Sequence, residues 1–177
     1  MPTQTSNTYD PANDLVDRLA GLTPGSKTYE TRHQRVKVAA ATQGSYDLLC
    51  APGLPGLSLV ERLLVALYAS RLTPSKELAA HYREQLTAAG AELSLIELAE
   101  HAEPSNAPTP RLAAILAFTR KLIEKPVEGD REALLTLPQA GLTTPEVVVL
   151  SQLIAFLSYQ VRLVAGLKAM KALEESV

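Results

Sequence analysis

Residues 147–167 form one uninterrupted segment built mostly of Val, Leu, Ile, Ala and Phe, with Arg162 as its single charged side chain and no proline. This is too long for a strand, and charge gathers only beyond it, at Lys168, Lys171, Glu174 and Glu175. Thr143-Thr144-Pro145-Glu146 precedes it with a cap, a proline suited to the first helical position and a glutamate three residues on. The pattern predicts a long last helix whose first part lies at the centre of the core. Whatever packs on such a helix must cover most of its faces, which favours further helices.

The rest of the chain is punctuated accordingly. Asp10-Pro11 and Gly21 bracket a first predicted helix, and a second is expected over 28–49, before the break Ala51-Pro52-Gly53-Leu54-Pro55-Gly56. Ser58-Leu59-Val60-Glu61 is a capping box opening an apolar helix to Leu72. Thr73-Pro74 is expected to cap a helix ending near Gly90, and Ser94-Leu95-Ile96-Glu97 to box a short one. Thr109-Pro110 opens a helix that Pro126 ends, and Asp130 to Leu137 forms another short one. The expected class is all-α, with a segment at 1–56 and one helical unit over 57–177.

Charge and composition narrow the partners. Lys and Arg total 17 against 19 Asp and Glu, with no basic run, so neither nucleic acid nor an anionic membrane surface is expected. No apolar stretch is read as reaching the length of a bilayer span, and the polar start lacks a signal-peptide core, which together predict a cytoplasmic protein. Cys50 is the only cysteine, so dithiol chemistry within the chain is excluded. Flanked in sequence by Leu49 and Ala51, with no neighbouring cation, it reads as a small buried hydrophobe.

The residues that could carry chemistry are few. His81 has Glu77 four residues before it and Glu84 three after on one helix face. That spacing permits a metal site, but it equally suits a solvated face, and neither metal nor cofactor is expected. His33 and His101 offer less. In the last helix Gln152, Tyr159 and Arg162 share a stripe: either a polar pocket in which Arg162 holds an anion, or a network that fixes helix packing or a subunit interface. Gln43, Ser45 and Tyr46 could join either arrangement.

Several segments resemble the carboxymuconolactone decarboxylase and alkylhydroperoxidase D-like (AhpD-like) proteins. Leu57-Ser58-Leu59-Val60-Glu61-Arg62-Leu63-Leu64-Val65-Ala66-Leu67, with Ser70-Arg71-Leu72, is similar to the family's core helix leading into its active-site helix. Gly141-Leu142-Thr143, Glu146, Ala155-Phe156 and Arg162-Leu163 resemble its closing helix, while 14–22 and 43–47 are similar to a branch with an N-terminal extension. The resemblance implies an AhpD-like helical bundle. Peroxidatic members carry Cys-x-x-Cys, then His four residues later, and an upstream Glu. Here, aligning on His81 puts Pro74 and Glu77 at the cysteine positions. Aligning on Ser70 puts Ser75 and Leu78 there, Tyr82 at the histidine and Leu63 at the glutamate.

What the resemblance implies is therefore a peroxidase-related, antioxidant-type protein without the dithiol, acting as a small-molecule binder or partner subunit. An acid–base enzyme of the decarboxylase type is the alternative, with His81, Glu77, Tyr159 and Arg162 as catalytic candidates and Gln152, Tyr82 and Ser70 as substrate-binding ones. A structural scaffold is the third. Expected partners are copies of the chain itself, a small anionic or hydroperoxide ligand, and a partner AhpD-like protein.

Overall fold

The central helix starts where its capping box predicts. The Ser58 hydroxyl accepts the Glu61 N–H at 3.1 Å while the Glu61 carboxylate accepts the Ser58 N–H at 2.8 Å. The computed structural model describes residues 9–101 and 103–176, and among these the regular elements are nine α-helices with short 3₁₀ turns and no strand. They are α1 (Leu15–Ala20), α2 (Lys27–His33), α3 (Val36–Leu49), α4 (Leu59–Leu72), α5 (Lys76–Ala88), α6 (Leu93–His101), α7 (Pro110–Glu124), α8 (Arg131–Gln139) and α9 (Thr144–Glu175). The protein is all-α.

Contacts divide the chain into two units, Met1–Leu48 with Leu163–Val177, and Leu49–Arg162. Sequence punctuation put the boundary at residue 56 and kept 57–177 together; by contacts, the end of α9 groups with the N-terminal segment instead.

In the second unit α4 is the centre of the core. Every residue from Arg62 to Ser70 is buried, and α4 packs against α5, α6 and α7, with α8 on α7. The sequence assigned that central place to the first part of α9, and this is corrected. Apolar residues surround α9, but only Leu150, Leu153, Ile154, Leu157 and Gln160 of its part in this unit are buried. An 18-residue window of α9 has a mean hydropathy of 1.7 yet is 33% buried. A second correction follows: by length and composition α9 could cross a membrane, because its few polar residues hardly dilute the apolar ones.

Four helix boundaries depart from the sequence reading. Residues 11–13 form a 3₁₀ turn, and the Asp14 carboxylate, accepting the Asp17 N–H at 2.9 Å, starts α1 anew. The helix expected over 28–49 breaks at Gln34–Arg35, so that Arg32 and His33 can turn to partners on α1. Thr73 closes α4 instead of opening α5, its hydroxyl donating to the Ala69 carbonyl at 2.7 Å. Ser94 lies inside α6, which begins at Leu93, so its box does not form.

Three helices of the second unit meet at Arg111. Its Nε donates to Glu61 and its Nη2 to Glu146, both at 2.7 Å. Arg111, followed by the N–H and hydroxyl of Thr143, holds the Glu146 carboxyl down from 4.5 to about 2. Burial works against ionisation of Glu61, but Arg111 and Ser58 outweigh it and its carboxyl is also lowered. A depressed carboxyl contributes stability that is full above its unfolded value and is lost as pH falls through the folded one. Arg111→Gln is therefore expected to cost about 1–2 kcal/mol at neutral pH. It should also flatten the loss of stability between pH 4.5 and about 2, as measured by urea unfolding at a series of pH values.

Candidate functional site

The residues singled out in the sequence lie on α4, α5 and α9. His81 is 5% exposed on α5, with Glu77 half-buried one turn earlier and Glu84 exposed one turn later. Among the described residues no three His, Cys, Asp or Glu side chains gather as a metal site. Ser70 is buried, and its hydroxyl donates to the Ala66 carbonyl of its own helix at 2.7 Å. Tyr82 is fully buried and donates to the Gln160 amide oxygen at 2.6 Å, linking α5 to α9. Gln160, which the sequence reading passed over, is thus the inward polar residue of α9.

Gln152, Tyr159 and Arg162 all lie on the exposed side of α9. Arg162 donates to the Ser158 carbonyl at 2.7 Å, within its own helix. Of the residues that could have joined them from 28–49, Gln43 accepts the Leu15 N–H and donates to Asp47, and Ser45 donates to Ala41.

Cys50 is half-buried at the end of α3. Its sequence neighbours contain no cation, but the fold supplies one. Arg62, 1% exposed, donates to the carbonyls of Leu49 at 2.5 Å and Ala51 at 2.8 Å on either side of Cys50, and to Leu57 at 3.1 Å. Burial lowers the Arg62 guanidinium from its ordinary range. This buried cation donates to backbone carbonyl oxygens, its planar donor set holding the 49–57 connection.

The first unit contains a cluster that periodicity did not reveal. Asp14 and Asp17 are 2% and 5% exposed, and both reach α2. Arg32 donates to Asp17 at 2.8 Å and to Asp14 at 3.1 Å, while His33 Nε2 lies 2.7 Å from Asp17. The Tyr9 hydroxyl donates to Asp14 at 2.8 Å, and the His33 ring stacks with that of Tyr9 and lies tilted against that of Tyr29. Burial pushes the Asp17 carboxyl up against the opposing pull of His33 and Arg32, and burial followed by Asp14 pushes the Tyr9 hydroxyl up. These groups are engaged with one another, which makes the cluster a clamp between α1 and α2. A cavity of about 490 Å³ beside it is lined by Tyr9, Asp10, Asn13, Gln43 and Asp47 among others. Asp10 caps the first turn and Asp47 accepts from Gln43, so its carboxylates serve local structure.

The outer face of α9 is largely apolar. Val148 is 49% exposed and Tyr159 43%, Ala155 is exposed, and Val147, Val149, Phe156 and Val161 are half-buried beside them. Such a face costs free energy in water and suits association with another apolar surface. No protein-family model matches the chain, and no curated protein matches it.

Proposed function

We propose that this protein is an oligomer-forming subunit of AhpD-like type that has no self-sufficient thiol peroxidase activity. The observation that carries this reading is the outer face of α9, a largely apolar helical surface with one charge, much of it exposed among the described residues. The solitary Cys50 supports its second half, since a sulfenic acid formed there would meet no resolving cysteine. The acid–base alternative has less support: His81 is buried, whereas Tyr159 and Arg162 face outward from another helix.

Two measurements test the proposal. Analytical ultracentrifugation across a wide concentration range is expected to give a mass above that of one 19.0 kDa chain; a monomer throughout refutes the subunit role. With a dithiol reductant, wild type and Cys50→Ser are expected to consume peroxide equally slowly. Rapid consumption abolished by the substitution overturns the second half. Rapid consumption that survives it points to a non-thiol site, with His81 the next residue to change.

A further inference from the structure

The clamp between α1 and α2 lacks one positive charge when its imidazole is neutral. Asp14, Asp17, Arg32 and His33 each keep nine-tenths or more of the side chain from water, and they form one connected set. Arg32 touches both carboxylates, at 3.1 and 2.8 Å, but balances only one, so a neutral His33 leaves an uncompensated negative charge among buried groups. His33 Nε2, 2.7 Å from Asp17 Oδ2, is where a proton can be held against that charge. Imidazole is the side-chain type that changes charge between about pH 5 and 8. Burial raises the Asp17 carboxyl, so the second partner of the pair favours the proton too. Around the ring stand Tyr9, stacked on it and donating to Asp14, Tyr29, tilted against it, and Arg32, whose Nη1 is 3.4 Å from Nε2. Glu30, beside Tyr29, accepts the Gly25 N–H at 3.3 Å, and Arg18 is exposed on α1. Arg32 repels an imidazolium while two carboxylates attract it, and the balance favours the proton.

We propose that the α1–α2 clamp is a proton-operated switch: uptake of one proton at the His33–Asp17 pair closes it, and loss of that proton loosens α1 from α2. Because closing binds the proton, the closed state gains as pH falls and weakens as pH rises. The output is the cavity beside the clamp. Two of its lining residues hang from the start of α1, Tyr9 through its bond to Asp14 and Gln43 through the Leu15 N–H at 2.8 Å. With only six residues α1 depends on tertiary contacts, so a loosened clamp frees that wall of the cavity.

Amide hydrogen exchange on the full-length protein at about pH 6 and about pH 8, corrected for the base-catalysed intrinsic rate, reads the switch. One proton over roughly two pH units can change the opening equilibrium by at most ~100-fold. Residues 14–33 are expected to be at least ~5-fold better protected at the lower pH, with α4 unchanged. His33→Gln keeps a donor for Asp17 but takes up no charge, and should abolish the difference. Asp17→Asn removes one carboxylate, so a neutral ring now leaves the set balanced and a protonated one overcharges it; the difference should change sign. Equal protection of the wild type at both pH values overturns the proposal, even where both variants prove too loose to measure. A difference that survives His33→Gln, or that keeps its sign in Asp17→Asn, also overturns it, since either places the titrating group elsewhere.

Discussion

Arg62→Ala is expected to cost about 3–5 kcal/mol of folding stability, the largest single-residue effect in the Leu49–Arg162 unit. The guanidinium donates to the Leu49 and Leu57 carbonyls in fully buried bonds and to Ala51 in a partly buried one. The Leu49 carbonyl belongs to the last turn of α3, where no helical N–H follows to receive it. Alanine removes all three donors at once and leaves a void beside the central helix. Arg62→Lys retains a charge but not the planar fork, so it should recover only part of the loss. Urea unfolding gives the totals, and amide exchange should locate the weakening at the end of α3 and the start of α4. A loss under 1 kcal/mol for alanine would mean that water replaces the guanidinium at these carbonyls without penalty.

The capping chemistry and most of the helices were legible because their signals are local. Ser58 with Glu61, Thr109 before Pro110, and Thr143 with Glu146 each act within one turn, and each forms. Where two local signals compete, neighbours decide: Thr73 could open α5 or close α4, and its hydroxyl goes back to Ala69. The orientation of α9 was not legible, since apolar residues surround that helix and leave its phase undetermined. Gln152, Tyr159 and Arg162 make as regular a stripe as the one containing Gln160. Tyr82, 78 positions away in sequence, meets Gln160 on the second, which is the inward one.

Arg62 and the α1–α2 clamp escaped for a related reason. A charged residue next to Glu61 in a capping box reads as solvated, whereas the fold turns Glu61 to Arg111 and Arg62 to the preceding connection. Asp14, Asp17, Arg32 and His33 lie on either side of the 21–26 turn, and their pairing depends on the angle between two short helices. No periodicity encodes that angle. The two N-terminal helices are only six and seven residues long, so tertiary contacts, more than helical propensity, must hold them.

Arg32→Met is the corresponding test of the first unit, with an expected loss of about 3–5 kcal/mol at neutral pH. Methionine keeps much of the arginine stem's volume but withdraws the cation that lies between Asp14 and Asp17, whose side chains are 1% and 7% exposed. His33 remains within 2.7 Å of Asp17, so the residual cluster has two carboxylates and one titratable ring. Burial already raises the Asp17 carboxyl in the intact protein, and losing Arg32 removes one of the forces that oppose it. A carboxyl raised on folding is linked to stability that is present at low pH and lost as pH rises through the folded value. The variant should therefore regain stability on acidification from neutral pH toward the carboxyl range, where the wild type has less to gain. Amide exchange should show the loss in α1 and α2, with α4 unaffected. A defect independent of pH, or one spread evenly over α4 and α7, would mean that Arg32 acts through packing alone and that the paired charges contribute nothing to holding α1 against α2.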